Sequence, residues 1–168
     1  MMKVEYFVGI DPGKQGAIAV VDRESTLMQL ELLGDSPQEV DRAISKVFYH
    51  NTHMTCEIFL EKVHAMPGQG VSTMFSFGKH YGWIEGIITA NGEEINYVHP
   101  SQWTKAMHRH KGRTAKEKSV KAAQELWPEE TFLATRKSRT PHQGLVDASL
   151  IAEYGRRYTL GLIKKVKK

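Results

Sequence analysis

Three short apolar runs open the chain, and each is bounded by a polar or glycine-containing break. Runs of this length, rich in valine, isoleucine and aromatic residues, are typical of strands. We predict strands over residues 4–10, 16–22 and 26–33. Because only a few residues separate each strand from the next, the three strands are expected to pair as an antiparallel meander.

Helical spacing of apolar residues begins after the third strand. Ser36, Pro37 and Glu39 have the pattern of a helix start, in which proline follows a serine cap and a glutamate stands three residues after it. The helix is predicted to continue to about residue 49. Its buried face is expected to consist of Val40, Ala43, Ile44 and Val47.

The rest of the chain alternates strands and helices. Strands are predicted over residues 57–61 and 95–98, and helices over residues 72–91, 101–107, 114–126 and 144–158. The long helix is expected to pack through Phe75, Gly78, Gly82, Ile84 and Ile88. This order predicts an α/β fold, a five-stranded mixed sheet with three antiparallel and two parallel strands, flanked by helices. Residues 1–158 are expected to form a single domain, followed by a basic tail over residues 159–168.

Composition limits the classes of protein to which the chain can belong. Its 168 residues suffice for one domain with a substantial core. Cys56 is the only cysteine, which excludes an intrachain disulfide and a cysteine-rich zinc site. No apolar run approaches the roughly 18 residues of a membrane span, and the N-terminus lacks the pattern of a signal peptide. We therefore expect a cytoplasmic protein with no membrane partner.

Positive charge is concentrated in the second half of the chain, although the formal net charge is only +4. Between residues 105 and 121 a single acid, Glu117, stands among basic side chains: Lys105, Arg109, Lys111, Arg113, Lys116, Lys118 and Lys121. Such asymmetry favours a polyanionic partner, most often nucleic acid. A solvated helix face is the alternative interpretation of this segment, and for the C-terminal tail simple solvation is the preferred one.

Three acidic residues occur in apolar surroundings at distant positions. Asp11 ends the first predicted strand, Glu61 ends the fourth, and Asp147 lies in the first turns of an apolar helix. Parallel neighbouring strands present their carboxyl ends at one edge of a sheet, so Asp11 and Glu61 can meet there. Clustered carboxylates can hold two divalent cations about 3.5–4 Å apart for phosphodiester hydrolysis. The three contexts together predict such a site, whereas Asp11 by itself also fits the acidic turn of a plain hairpin.

Several segments of the chain form a recognisable set. They are Gly9-Ile10-Asp11-Pro12-Gly13 with Gly16-Ala17-Ile18-Ala19, Leu60-Glu61-Lys62-Val63, Pro100-Ser101-Gln102-Trp103, and Val146-Asp147-Ala148 with Leu150-Ile151-Ala152. In this order and spacing, over about residues 4–157, the chain resembles RuvC-type Holliday-junction resolvases, in particular their compact phage, viral and organellar branch.

The resemblance implies a ribonuclease H-like fold and a homodimer that binds four-way DNA junctions. It further implies symmetric nicks in two opposing strands, and these nicks leave 5′-phosphates. Each active site is expected to use two ions of Mg²⁺ or Mn²⁺. Carried over by position, the catalytic and metal-binding acids are Asp11, Glu61 and Asp147.

One position departs from the pattern of that family, which usually has an Asp or His ligand just before the final acid. Gln143 stands four residues before Asp147, and residues at this spacing share a helix face. Gln143 is therefore expected to point toward the metals but to bind them poorly. His142 is the alternative, as a fourth ligand or a general base, with an ordinary helix N-terminal residue as the competing interpretation. If neither substitutes, we expect a weak second metal and slow or manganese-dependent cleavage.

The resemblance also indicates which residues contact DNA. In the glycine-rich loop after the fourth strand, Met66, Gly68 and Gln69 are expected to enter the junction centre, where apolar side chains unstack bases. An ordinary connecting loop is the competing interpretation. Lys14 is expected near a phosphate at the metals, and Trp103 is expected to be structural. Backbone phosphates are expected to be bound by Lys105, Arg109, Lys111, Arg113, Lys116 and Lys118.

Alternatives from other classes stay open. The strand, aspartate and glycine turn also resemble the phosphate-binding start of actin-like ATPases and sugar kinases, but 168 residues do not hold the second half that those proteins need. No nucleotide cofactor is therefore expected. A branched nucleic-acid-binding protein with weak or no cleavage, or a related nuclease acting on structured RNA, would use the same basic residues. The expected setting is the nucleoid or the cytoplasm of a phage-infected host, with an organellar matrix as the alternative.

Overall fold

A computed structural model describes residues 4–50, 55–64, 68, 70–109 and 112–163. Its elements, in chain order, are β1 (Tyr6–Asp11), β2 (Ala17–Asp22), β3 (Leu27–Leu32), α1 (Pro37–His50), β4 (Cys56–Glu61), α2 (Val71–Ala90), β5 (Ile95–Val98), α3 (Pro100–Met107), α4 (Ala115–Leu126) and α5 (Gln143–Thr159). Each corresponds to an element predicted from the sequence, and the predicted and observed ends differ by at most two residues. The predicted order of strands and helices is confirmed.

The strands form one mixed sheet in the order β3-β2-β1-β4-β5. β1 pairs antiparallel with β2, and β2 pairs antiparallel with β3. β4 pairs in parallel with both β1 and β5. In the β1–β4 register Ile10 lies opposite Leu60, so the residues that follow them, Asp11 and Glu61, end neighbouring strands at the same edge. The predicted mixed sheet is therefore confirmed, together with the meeting of these two strand ends.

Apolar residues cover both faces of the sheet, because successive side chains along a strand point to opposite sides. Phe7 and Phe59 belong to the core on the face covered by α3, α4 and α5. Val8, Ile10 and Leu60 belong to the core on the other face, beneath α1 and α2. The sheet is thus the middle layer between two layers of helices, which accounts for the nearly continuous apolar runs in β1, β2 and β4.

Glycine at position 9 allows α5 to lie directly against β1. A Cβ atom on Gly9 would be 2.2 Å from the carbonyl oxygen of Ala148 and 2.2 Å from the backbone nitrogen of Ala152, so no side chain fits there. Gly144 has the same role at the start of α5, where a Cβ atom would be 2.1 Å from the carbonyl oxygen of Gln15. These contacts fix the first turns of α5 beside the end of β1.

The predicted start of α1 is confirmed. The Ser36 hydroxyl accepts a hydrogen bond from the Glu39 backbone N–H at 3.3 Å, and the Glu39 carboxylate accepts one from the Ser36 backbone N–H at 3.0 Å. This reciprocal capping satisfies backbone donors that the first turn leaves open. The predicted buried face is confirmed as well, and it consists of Val40, Ala43, Ile44 and Val47.

The predicted packing face of α2 is wrong in part. Ile84 and Ile88 are fully buried, as predicted. Phe75, however, is 73% exposed, and Gly78 and Gly82 are exposed on the same side of the helix. Because α2 is apolar around most of its circumference, spacing alone does not single out the face that meets the sheet. Within the described residues, no helix combines the length and the apolar character needed to cross a membrane.

The C-terminal half of α5 is anchored by a buried carboxylate. Glu153 accepts hydrogen bonds from Arg156 at 2.7 Å and 2.9 Å, from Arg157 at 2.6 Å and from the Ser25 hydroxyl at 2.8 Å. Burial alone would raise the pKa of Glu153, but these hydrogen bonds outweigh it and hold the pKa below its usual value. Arg156 also donates to the carbonyl oxygen of Arg23 at 2.7 Å, which ties the β2–β3 turn to the helix.

Candidate active site

Three carboxylates meet where β1 and β4 end. Asp11 and Glu61 end these neighbouring strands, and Asp147 lies in the first turns of α5, which packs against β1. Burial raises the pKa of Asp11 well above its usual value, and repulsion from Asp147 and then from Glu61 raises it further. This repulsion means that the structure brings together the three acids selected from the sequence.

Side chains from two helices act on the Asp147 carboxylate. The side-chain amide of Gln143 donates to Oδ1 of Asp147 at 2.9 Å, from one turn earlier on α5. Ser119, on α4, lies close enough for its hydroxyl to act on the same carboxylate. Burial raises the pKa of Asp147, whereas Gln143, the Ser119 hydroxyl and the nearby charge of Lys116 oppose the rise. The pKa is raised overall because burial is the largest influence.

A tryptophan and a tyrosine hold the end of β4. Nε1 of Trp103, on α3, donates to Oε1 of Glu61 at 2.7 Å, and Trp103 is only 4% exposed. The Tyr81 hydroxyl, on α2, donates to the backbone carbonyl of Glu61 at 3.3 Å. Burial raises the pKa of the Glu61 carboxyl, the bond from Trp103 opposes the rise, and repulsion from Asp147 adds to it. Helices from both faces of the sheet therefore fix the position of Glu61.

The donor chemistry of the three carboxylates fits a hard divalent cation. Carboxylate oxygens are ligands that Mg²⁺ and Mn²⁺ prefer. Burial and the two neighbouring acids all oppose the charged form of Asp11, and a cation would relieve that repulsion. As placed, the described side chains contain no group of three or more His, Cys, Asp and Glu residues that could hold a metal ion. The three carboxylates would therefore have to draw closer together around a cation.

The two candidates for a fourth ligand occupy the start of α5. His142 is the N-cap residue, and its backbone N–H donates to the carbonyl oxygen of Phe132 at 2.7 Å. Among the described residues, Nδ1 of His142 is buried without a hydrogen-bond partner, so the ring retains an unused nitrogen. Gln143 lies on the Asp147 side of the helix, as predicted, and its amide donates to that carboxylate. The roles of His142 and Gln143 toward a metal stay predictions.

The basic side chains predicted to bind phosphates follow α3, α4 and the segment between them. We call the described members the basic surface, which consists of Lys105, Arg109, Arg113, Lys116 and Lys118. All are exposed except Lys118, which is half-buried. The charge of Lys116 acts on Asp147, so the basic surface adjoins the carboxylates. Lys111 lies outside the described residues, and DNA binding by the whole set stays a prediction.

Lys14 and Gly68 are the described residues among the remaining predicted DNA contacts. Lys14 forms an ion pair with Asp35, and both side chains are more than half exposed, at 73% and 58%. This pair lines a cavity of about 460 Å³ that is also bounded by α2. Met66 and Gln69 lie outside the described residues, whereas Gly68 occupies a turn with a φ of 87°, which favours glycine. Their contact with DNA stays a prediction.

The donors that hold the carboxylates were not foreseen from the sequence. The sequence predicts only a structural role for Trp103 and predicts no role for Ser119. The structure shows that Trp103 bonds to an acid 42 residues away and that Ser119 lies close to one in another helix. His108 completes the set, because its Nε2 lies 2.9 Å from Oγ of Ser119. Only the presence of a serine on the apolar face of α4, beside Ala122 and Ala123, gives a local signal.

No protein-family model matches the chain, and no curated protein matches its sequence. Solved structures do resemble it. The chain is similar to Thermus thermophilus RuvC in complex with Holliday junction substrate, with a TM-score of 0.66 and 19% identity over 96% of this chain and 99% of that one. Another T. thermophilus RuvC structure has a TM-score of 0.61 and 20% identity over 93% and 96% of the two chains. The yeast mitochondrial Holliday junction resolvase Ydc2 has a TM-score of 0.56 and 11% identity over 96% and 82%. The chain therefore has the fold of the RuvC-type resolvases, as its sequence motifs predicted.

Proposed function

We propose that the protein is a metal-dependent endonuclease that binds four-way DNA junctions as a homodimer and resolves them by symmetric cuts with 5′-phosphate ends. The observation that carries this proposal is the meeting of Asp11, Glu61 and Asp147 at one edge of the sheet, next to the basic surface. The similar structures support it, since one is a RuvC in complex with Holliday junction substrate and another is a Holliday junction resolvase.

The three carboxylates would hold Mg²⁺ or Mn²⁺, about two ions in each site, which supply an activated water and stabilise the leaving oxygen of the phosphodiester. Trp103 orients Glu61, and Gln143 orients Asp147. Because these two carboxylates are already held, less side-chain freedom is lost when the substrate binds. His142, which caps the same helix, would be the fourth ligand or the general base. These are the roles that we assign to the chain's own residues.

The basic surface would position the junction strands through their phosphates. Arg and Lys side chains that bind phosphates fix the register of a duplex without reading its sequence. Because Lys116 lies near Asp147, a strand bound along α4 would bring a phosphodiester up to the carboxylates. Affinity for the junction should consequently decrease steeply as salt is added.

The homodimer would form through the exposed side of α2. Val71 and Phe75 are 87% and 73% exposed there. Gly78, Gly82 and Gly86 repeat at every fourth position, and a Cβ atom on any of them would meet nothing within 4 Å. An apolar helix face with glycines at helical spacing allows a second helix to approach closely. A second copy of α2 fits this face, because two symmetric cuts require two sites related by a two-fold axis.

A junction-binding protein with weak or no cleavage is the second candidate. One observation favours it: in their present positions, the three described acids do not form a group that could hold a metal ion. The neutral Gln143 also stands one turn before Asp147, where an acidic ligand would add charge. Such a protein would bind junctions equally well with and without metal.

The test uses a labelled synthetic four-way junction, a linear duplex of the same sequence and a structured RNA, each incubated with Mg²⁺, with Mn²⁺ or with EDTA. We expect paired symmetric nicks in the junction only, and only with metal. Asp11→Asn should abolish them, whereas Asp41→Asn, on the exposed side of α1, should not. Junction binding without cuts in either metal would support the second candidate, and cuts confined to the RNA would identify a ribonuclease.

A further inference from the structure

We propose that Trp103 and Ser119 are positioning residues that set the affinity of the carboxylate site for its metal ions. The inference rests on the proposed function for the identity of the metal site, and it concerns residues other than the three acids. Both side chains are buried, at 4% and 2% exposed. Trp103 donates a hydrogen bond to Glu61, and the Ser119 hydroxyl lies close enough to Asp147 to act on the pKa of that carboxyl.

Trp103 holds one carboxylate oxygen of Glu61 and does not bond to the other. The indole has a single donor, Nε1–H, and it is used on Oε1 of Glu61 at 2.7 Å. The carboxylate therefore keeps Oε2 for another partner. Because Trp103 is packed in the core where α3 meets α5, it cannot follow Glu61 to a different rotamer. Glu61 is thus restricted to orientations that keep this bond.

Ser119 stands beside Asp147 where α4 packs against α5, and His108 holds Ser119. Nε2 of His108 lies within hydrogen-bond distance of Oγ of Ser119, at 2.9 Å. The hydroxyl is therefore kept in place from the side of α3, close enough to Asp147 to oppose the rise in its pKa.

The two donors belong to one packed unit. The rings of Trp103 and His108 meet edge to face, with centroids 5.5 Å apart and planes at 82°. α3 carries Trp103, α4 carries Ser119, and His108 follows α3 directly. One small cluster therefore acts on acids from both β4 and α5, while within the described residues no side chain donates a hydrogen bond to the Asp11 carboxylate. Groups that orient ligands in this way commonly change metal affinity about 10- to 100-fold when removed.

The test measures the binding of Mn²⁺ alone to the full chain by isothermal titration calorimetry, without DNA. Trp103→Phe removes the indole donor and keeps an aromatic ring, and Ser119→Ala removes the hydroxyl. We expect each to weaken Mn²⁺ binding about 10- to 100-fold. Ser119→Thr, which keeps a hydroxyl, should restore most of the affinity. Junction binding in EDTA should be unchanged in all three variants.

Matched controls separate this role from a general loss of packing. Trp127→Phe also removes a buried indole donor, which bonds to the carbonyl oxygen of Ser25 at 2.7 Å, and Ser149→Ala removes a buried hydroxyl in α5. Thermal unfolding shows which variants are destabilised, and only Trp103→Phe and Ser119→Ala should lose Mn²⁺ affinity beyond the two controls. Mn²⁺ binding unchanged in both would overturn the inference, as would equal losses in the controls.

The outcome is distinguishable from failure of the proposed function. If the wild-type protein binds Mn²⁺ and the two variants do not, the positioning role stands even when no junction is cut. If the wild-type protein cuts junctions and the variants bind Mn²⁺ like wild type, the function stands and the positioning role is wrong. Absence of Mn²⁺ binding by the wild-type protein overturns both.

Discussion

The backbone of Gly9 in β1 lies against the carbonyl oxygen of Ala148 in α5, and a Cβ atom on Gly9 would come within 2.2 Å of that oxygen. Ala148 directly follows Asp147, and Gly9 stands two residues before Asp11. The contact between these two small residues therefore sets the separation between two of the three acids. It connects the packing of the core with the geometry of the site.

The first prediction is that Gly9→Ala destabilises the protein, because α5 must move away from β1 to admit the methyl group. Overpacking of this kind costs about 1–3 kcal/mol, and the contact with rigid backbone places the cost at or above that range. Urea unfolding measures it. Ala152→Gly in the same chain should not restore stability, since the clashing atoms of Ala152 are its backbone nitrogen and Cα. Recovery in the double variant would contradict this account.

The second prediction concerns charge in the metal-free protein. The pKa of Asp11 is raised, so the folded state binds a proton more tightly than the unfolded state does, and ionised Asp11 destabilises the fold at neutral pH. Asp11→Asn should therefore raise the melting temperature at pH 7 in EDTA, by about 2–4 °C for each kcal/mol gained. The gain should shrink as the pH falls toward the unfolded-state pKa of about 3.9.

Glu153 provides an internal contrast to Asp11. Its pKa is lowered, so its contribution to stability is present above the unfolded-state pKa and is lost as the pH falls through the folded-state value. Glu153→Gln should therefore lower the melting temperature at pH 7, and this loss should shrink in acid. Differential scanning calorimetry of both variants across pH checks the two signs. A loss of stability in Asp11→Asn at pH 7 would contradict the repulsion among the three acids.

The third prediction tests the basic surface. Lys116→Ala and Arg113→Ala should each weaken junction binding in EDTA and should reduce the dependence of log Kd on log salt by about one. Fluorescence anisotropy over a series of salt concentrations measures both quantities. Lys46→Ala removes a lysine from α1, on the opposite face of the sheet, and serves as the control. An equal effect in Lys46→Ala would mean that net charge alone governs binding.

The fourth prediction tests the proposed dimer. Gly82→Leu adds a bulky side chain where the single chain has open space, so the fold should be retained. A second copy of α2 could no longer approach as closely, and analytical ultracentrifugation should show a shift from dimer to monomer. Gln124→Leu, on the exposed side of α4, is the matched control and should remain dimeric. Dimers of unchanged stability in Gly82→Leu would exclude this face as the interface.

Most of the fold could be predicted because its signals are local. The cap formed by Ser36 and Glu39 lies within one turn, and the strand runs are delimited by glycines and polar residues. The site could be predicted as far as its acids, since Asp11 and Glu61 end strands that pair in parallel. The packing face of α2 could not be predicted, because apolar residues occur around most of that helix. The spacing of apolar residues then does not show which face is buried.

The partners of the acids could not be predicted for a different reason. Trp103 and Glu61 are brought together when α3 packs on α5 beside the end of β4, and Ser119 meets Asp147 only when α4 packs on α5. Such contacts depend on how helices cross, which the order of residues within one element does not encode. A buried tryptophan and a buried serine look the same in sequence whether they fill space or orient a carboxylate.

The burial of α5 makes the three acids unequal in their freedom to move. Residues Gly144 to Gly155 are almost all buried, and the glycines at positions 9 and 144 hold this helix against neighbouring backbone. Asp147 is consequently carried by a part of the molecule that shifts only if the core itself is disturbed. Asp11 ends a strand and retains rotation about its own side-chain bonds, whereas Glu61 is restricted by its bond from Trp103. Assembly around a cation should therefore proceed mainly as a movement of the Asp11 side chain toward a stationary Asp147 and Glu61.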